Sequence, residues 1–397
     1  MFELEEVVTP EAETGSTVIK VVGVGGAGGN AVEHMIREGV GGVEFICCNT
    51  DAQALKKSTA HVKLQLGPGL GAGGKPEKAR ELAQLDRGRI AEALMGAHMV
   101  FITAGMGGGT GTGAGPVVAE VARELGILTV AVVSKPFEYE GKRKRLAEEG
   151  VAELARHVDS LIIILNEKLE EVLGDEVSML EAFQAADNVL RNAVGGIAEI
   201  INVPGLVNVD FEDVRTVMGE MGKAMMGSAV AAGVDRARVA AEEAVASPLL
   251  EGIELSGARG VLVNITASST LGLKEYKEVM KTIRQYTAPE ATVICGAVFD
   301  ETMEDQLRVT VVATGLGIVA ARESAKPAMR VVETVGLRTG TDNLQVYDVG
   351  GAHGAIDLSS VTSSARGSTP RNAQADAMAA SGVDKYDIPA FLRRQSD

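Results

Sequence analysis

Between Ala104 and Pro116 the chain reads Ala-Gly-Met-Gly-Gly-Gly-Thr-Gly-Thr-Gly-Ala-Gly-Pro. Glycine alone takes φ > 0 without steric cost, so this density reads as backbone shaped where side chains cannot fit. The run follows an apolar, strand-like segment, Met99–Thr103, and precedes a helical pattern that Pro116 is expected to open. A strand, a glycine turn and a helix start together aim bare N–H groups and a helix dipole at an anion. Thr110 and Thr112 add hydroxyls for phosphate oxygens or a metal-bound water. No lysine follows the last glycines, so the run is not a P-loop. Backbone dipoles and Mg²⁺ must then balance the phosphate charge.

Two further glycine clusters lie upstream. Gly23, Gly25 and Gly28 match G-x-G-x-x-G between a strand and a helix, and the next strand ends near Asp51. That is also the fingerprint of a nicotinamide-dependent oxidoreductase, with Asp51 as the acidic ribose partner. The other cluster, Gly67-Pro-Gly-Leu-Gly-Ala-Gly-Gly74, precedes Lys75-Pro76-Glu77 and a further helix. Three loops converging on one polyphosphate fit a nucleoside triphosphate better than a dinucleotide, and no His or Tyr constellation for hydride transfer accompanies them.

The elements that must position these loops follow from the apolar pattern. Strand-like runs recur at Val18–Val24, Val43–Cys48, Met99–Thr103, Ile127–Val133 and Leu161–Leu165, with helical patterns between most of them. This indicates an α/β domain with a parallel, doubly wound sheet, whose ligands bind at the carboxyl ends of the strands. Ser178-Met-Leu-Glu181 has capping-box spacing, and Phe183, Leu190, Val194, Ile197 and Ile201 stripe one face of a long helix ending near Asn202–Gly205. A second, smaller α+β unit follows, with strands at Gly260–Thr266, Thr292–Val298 and Leu307–Ala313 and helices near Arg236–Ala246 and Lys274–Tyr286.

The expected organisation is a flexible N-terminus (1–16), a nucleotide domain (17–177), the central helix (178–203) and the α+β domain (204–320). A disordered linker (321–382) and a terminal docking peptide (383–397) complete it.

Composition excludes several classes. The 397 residues carry 38 basic and 54 acidic side chains, a net charge of −16, with no Trp and only 3 % aromatics, which argues against nucleic acid as a partner. Adjacent Cys47 and Cys48 in a strand point to opposite faces and do not bridge, and the five histidines show no zinc spacing. No apolar run reaches membrane-spanning length, so no direct membrane insertion is expected and the chain reads as cytoplasmic.

Gly107–Gly113 resembles the tubulin signature loop. With Val24–Asn30, Asn49–Leu55, Asn208–Arg215 and the terminal peptide, the chain is similar to the FtsZ family, the bacterial tubulin-like division GTPases, over about 18–317 and the tail. The resemblance implies a tubulin-like GTPase fold. It implies GTP/GDP binding by Gly26, Ala27, Gly28, Gly29 and Asn30, with Ala72 and Gly73 near the γ-phosphate and Gly108, Gly109, Thr110 and Gly111 on the phosphates. Glu140 would accept ribose hydroxyls, Phe183 would stack on the base and Asn166 would lie near the nucleoside. Asp187 would accept from guanine N1–H and N2–H₂, a donor pair adenine lacks. The family carries Arg four residues after the position of Glu140. Here that residue is Lys144, so Arg143, Lys144 or Arg145 faces the nucleotide. Leu165 also stands where the family often has Pro.

Asn208, Asp210 and Asp213 read by themselves as residues of a helix N-terminus, chosen for capping and dipole. The resemblance makes them catalytic, reaching the GTP of the next subunit. A site split between head and tail propagates into open filaments. The implied role is a homopolymer forming the mid-cell division ring, tethered to the adaptors FtsA and ZipA through residues 384–394. A filament that binds nucleotide without hydrolysing it is the alternative that retention of Asp210 and Asp213 opposes.

Overall fold

The apolar runs form one half of a single ten-stranded sheet, ordered β3-β2-β1-β4-β5-β6-β7-β10-β8-β9. Ile19–Val24 (β1), Val43–Asn49 (β2), Val62–Gln65 (β3), Met99–Gly105 (β4), Leu128–Lys135 (β5) and Ser160–Leu165 (β6) are all mutually parallel. The computed structural model describes residues 17–174, 177–203, 205, 207, 209–220, 222–247 and 257–316. The expectations for 1–16, for the linker and terminal peptide, and for Asn208 lie outside those residues.

Side chains alternate along the parallel strands, and each set meets its own helices. Val21, Phe101 and Val130 pack with Ala31 and Met35 of α1 (Gly25–Arg37) and with Leu190, Val194 and Ile197 of α8 (Met179–Asn202). Val22, Ile102 and Ala131 face the other way. They pack against α3 (Pro76–Leu85), α4 (Arg87–Leu94), α5 (Thr110–Glu124) and α6 (Lys142–Leu154). Cys47 and Cys48 fall into these two opposite cores as free, buried thiols. Short helices α2 (Ala52–Lys57) and α7 (Asn166–Leu173) follow β2 and β6.

Helix α8 starts where its capping box indicated. The Ser178 hydroxyl accepts from the Glu181 N–H, and the Glu181 carboxylate accepts from the Ser178 N–H at 2.9 Å. Its 24 residues span about 36 Å. Beyond it come α9 (Phe211–Met218), β7 (Gly222–Ala232), α10 (Arg236–Val245), β8 (Gly260–Ala267), α11 (Leu273–Tyr286), β9 (Thr292–Phe299) and β10 (Gln306–Leu316). Strand β7 joins β6 in parallel through Ser160–Gly222, Leu161–Lys223 and Ile162–Ala224, and β10 runs antiparallel to both β7 and β8.

Three features depart from the sequence pattern. Strands β3 and β7 carry no strand signal of their own: β3 is four residues long, and β7 is built mostly of Gly, Ala, Ser and Met, which are not strand formers. The third is Pro116, which does not open α5 but lies inside it, as its seventh residue. The helix begins six residues earlier because the glycines allow it to press on its neighbours. A Cβ on Gly111 would lie 2.5 Å from the Gly105 carbonyl oxygen, and one on Gly113 would lie 2.0 Å from that of Pro76. Among the described residues no helix is long and apolar enough to cross a membrane.

Candidate functional site

All three glycine loops leave the carboxyl edge of the parallel strands and meet there. At the first, a Cβ on Gly28 would lie 2.3 Å from the Thr103 carbonyl oxygen, and one on Gly23 would lie 2.5 Å from that of Gly28, so α1 is seated on β1 and β4 without intervening side chains. Gly25 turns the chain with φ +78, and its ideal Cβ position is 2.9 Å from the Gly111 N. That contact sets the N-termini of α1 and α5 side by side. A Cβ on Gly109 would lie 3.0 Å from both the Ala72 Cβ and the Lys75 N, which brings in the third loop and the start of α3. Three helix N-termini thus converge on one place, each with N–H groups unused by its own helix.

The glycines of the long run serve different ends. Gly107 alone among Gly105–Gly115 has a positive φ, +94, and its Cα faces the Arg143 carbonyl oxygen at an ideal Cβ distance of 2.7 Å. Gly108 and Gly26 have nothing within 4 Å of such a Cβ, and so present open backbone. Thr110 exchanges a 2.6 Å hydrogen bond with Thr50, clipping α5 to the end of β2. The Thr112 hydroxyl does not face the ligand space as its sequence neighbourhood suggested. It is buried and accepts from the Gly107 N–H at 2.9 Å, holding the turn.

Beside the cradle, a cavity of about 280 Å³ is lined by Gly26, Gly29, Asn30, Asn49 and Asp51, with Glu33, Cys47, Lys57 and Ser58 on its far side. None of the last four was singled out from the sequence as a site residue. Glu33 stands one helical step from Asn30 on α1, which is the one signal that could have found it. Its carboxylate accepts from the Ser58 hydroxyl at 2.6 Å and from the Thr59 N–H and hydroxyl at 2.7 Å each. Burial pushes that carboxyl up, but these bonds outweigh it and hold it below the usual carboxylate range. Burial pushes the Cys47 thiol up.

On the opposite flank, Glu140 accepts from the Phe137 N–H at 3.2 Å and pairs with Arg143 at 2.5 Å. Lys144 pairs with Glu138 at 2.5 Å, and Arg145 reaches Glu149 at 3.8 Å. Of the three cations, Arg143 is the one whose backbone packs on Gly107 and whose side chain joins Glu140. Phe183 is half exposed, its ring nearly perpendicular to that of Phe137 at 6.2 Å. Asn166 opens α7 and is buried, and its Oδ1 has no partner, an orphaned acceptor suited to a ligand donor. Burial pushes the Asp187 carboxyl up to about 6, against the opposing pull of His34 and Arg37. The structure therefore gathers Gly26–Asn30, Ala72, Gly108–Gly111 and Asp51 around the cradle.

It does not bring Asp210 and Asp213 there. Asp210 caps α9, its Oδ1 accepting from the Asp213 N–H at 2.8 Å. The next residue, Phe211, packs edge-on against His98 at 6.1 Å, and the Met218 carbonyl accepts from the Ser160 hydroxyl at 2.6 Å. His98 and Ser160 stand at the amino ends of β4 and β6. The length of β4 separates them from the cradle by about 20 Å.

A phosphate cradle built from three helix N-termini, and continued by a long helix into a second unit, defines the tubulin-like class of nucleotide-binding proteins. Comparison places the chain more closely. Residues 18–174 match the GTPase domain of the Tubulin/FtsZ family, and 222–317 match the C-terminal domain of the FtsZ family. The cell division protein FtsZ of Pseudomonas aeruginosa is 52 % identical, with all of both chains covered. That of Coxiella burnetii is 56 % identical over 84 % of this chain and 86 % of its own. Among solved structures, an empty FtsZ dimer of M. jannaschii superposes with a TM-score of 0.74 at 42 % identity, covering 78 % of this chain and 90 % of its own. The CetZ2 protofilament of Haloferax volcanii with GTPγS shares the fold, at a TM-score of 0.65 and 22 % identity, over 76 % of this chain and 93 % of its own. The chain belongs to the FtsZ family of tubulin-like cell-division GTPases, and its amino-terminal domain is a GTPase domain that takes GTP and GDP.

Proposed function

We propose that the chain polymerises head to tail into the filaments of the division ring, and that each GTP is hydrolysed between two subunits. The observation that carries this reading is the separation of about 20 Å between the cradle, at the carboxyl edge of the sheet, and Asp210 and Asp213, at its amino edge. One chain cannot bring them together, whereas two chains stacked along the strand direction can.

In this reading Gly26–Asn30, Ala72, Gly73 and Gly108–Gly111 hold the phosphates through backbone N–H groups, Thr110 being fixed by Thr50. Glu140 accepts the ribose hydroxyls, with Arg143 beside it. Phe183 lies on the base, Asn166 offers its free Oδ1, and Asp187 reads the guanine N1–H and N2–H₂. Among the described residues no group of three His, Cys, Asp or Glu could hold a metal by itself. Mg²⁺ therefore comes with the nucleotide, bound mainly by phosphate and water, as this hard, strongly hydrated ion usually is. It would offset charge that the backbone donors of the cradle leave.

Asp210 and Asp213 of the next subunit, with Asn208, orient a water for in-line attack on the γ-phosphorus. The water oxygen bonds to phosphorus, the bond to the β–γ bridging oxygen breaks, the bridging electrons leave with GDP, and the proton the water loses passes to an oxygen of the released phosphate. A contact that GTP completes is weakened by hydrolysis, which gives filament turnover. The peptide 384–394, carrying Ile388, Phe391 and Leu392 with Arg393 and Arg394, would bind the membrane adaptors FtsA and ZipA at mid-cell.

The test is GTPase activity per molecule across protein concentration, with pelleting in GTP, GDP and no nucleotide. Activity should be near zero below a critical concentration and rise steeply above it, with polymer only in GTP. Specific activity that stays flat on dilution to the monomer would refute the shared site.

A further inference from the structure

Helix α8 must present Asp187 to the base; its middle is held by Leu190, Val194 and Ile197 in the core and by the Glu199 carboxylate, paired with Arg308 at 2.9 Å. Its carboxyl-terminal part is pinned to the segment after α1, where the Asn202 Nδ2 donates to the Gly42 carbonyl at 2.6 Å. Its amino-terminal part carries one strong side-chain hydrogen bond to the nucleotide domain. The buried His34 of α1 sets its Nε2 2.7 Å from the Asn188 Oδ1, one residue from Asp187. On the other side of the ring, the Arg37 guanidinium lies 2.6 Å from Nδ1. A guanidinium can only donate, so Nδ1 accepts and the ring proton sits on Nε2, which donates to Asn188.

From this one-way train, Arg37 to His34 to Asn188, we infer that His34 is a positioning residue for base selection, locking α8 against α1 so that Asp187 faces guanine. The inference rests on reading Asp187 as the guanine acceptor. The lever is geometric. A side-chain tip stands about 6 Å from a helix axis, so a local turn of about 20° in the amino-terminal part of α8 moves the Asp187 carboxylate by about 2 Å, enough to break a hydrogen bond. His34 lies on the same helix as the phosphate loop Gly26–Asn30, so the train also couples phosphate and base recognition through one rigid element. The Arg37 guanidinium at the head of the train also acts electrostatically on the Asp187 carboxyl, which agrees with its lying near it.

The full chain is assayed for GTP and ATP affinity by competition with a fluorescent nucleotide. The variants are His34→Leu, His34→Gln, Asn188→Ala and Asp187→Ala. Asn188 is exposed, so its truncation leaves the core intact even if a leucine at position 34 hinders folding. Glutamine can accept from Arg37 and donate to Asn188, and should rescue the imidazole. His34→Leu and Asn188→Ala should each weaken GTP binding about 5- to 30-fold with ATP binding unchanged. The two together should be no worse than either one, and His34→Gln should stay within about 3-fold of the parent. Neither change should add to Asp187→Ala. Equal losses for GTP and ATP, an unchanged preference in Asn188→Ala, or a glutamine no better than leucine would overturn the inference. If Asp187→Ala itself keeps the guanine preference, the base reading fails, and the positioning role with it. If only Asp187→Ala loses it, the base reading stands and the role of His34 falls alone.

Discussion

Replacing Asp187 by alanine should move stability and selectivity in opposite directions, and the structure sets both magnitudes. Burial raises this carboxyl from its ordinary 3.8 to about 6 in the nucleotide-free protein. The folded chain therefore binds the proton more tightly than the unfolded one, so its stability falls as pH rises from about 4 to about 6 and stays lowered above that. The difference corresponds to about 3 kcal/mol for a fully shielded charge, and to ~1–2 kcal/mol for a carboxyl that still touches solvent. Asp187→Ala should thus raise the melting temperature of the nucleotide-free protein by about 2–6 °C at pH 7.5, with roughly half that gain at pH 5. GTP binding should suffer. The loss of two charge-assisted bonds to the guanine edge costs about 1–3 kcal/mol, some 5- to 150-fold, with ATP little affected. Parent GTP affinity should also decline below about pH 6, where the free carboxyl takes up its proton, and this decline should vanish in the variant. Thermal melts and nucleotide competition at the two pH values measure all of this. A variant less stable than the parent at pH 7.5, or one with an unchanged preference for GTP, would refute the reasoning.

Other expectations follow from named contacts. Asp213→Ala should keep GTP binding, because the Asp210 cap uses the Asp213 backbone N–H, but phosphate release should fall at least about 10-fold, and mixing with the parent should poison its activity. Asp210→Ala should lose the cap as well, about 1 kcal/mol in a denaturant melt. Gly113→Ala drives a methyl to 2.0 Å from the Pro76 carbonyl oxygen and should cost several kcal/mol or abolish folding. Gly108→Ala, with nothing within 4 Å, should melt within about 0.5 kcal/mol of the parent. Deleting residues 384–397 should leave GTP hydrolysis and pelleting intact and abolish adaptor binding. Failure of the truncated chain to pellet would place the tail in the assembly contact.

The amino-acid sequence by itself determined which loops could cradle phosphate, because a bare backbone between a buried strand and a helix is written directly in glycine. It also determined the parallel direction of the amino-terminal strands, the start of α8 at Ser178 and the opposite facing of Cys47 and Cys48, all of which depend on residues close together in the chain. Only the tertiary structure decided why each glycine is there. Gly113 is required by the Pro76 carbonyl, which arrives from the start of α3, 37 residues upstream, and the Thr112 hydroxyl turned inward to Gly107 while Thr110 met Thr50. Strand β7 had no signal because small residues become a strand only when β6 and β10 present their edges. No local pattern put Asp210 and Asp213 at the far end of the sheet; only the family resemblance implied it. Local pattern fixes what a segment can do, whereas distance between segments is set by packing, and it is distance that takes the Asp210 and Asp213 carboxylates out of reach of their own cradle.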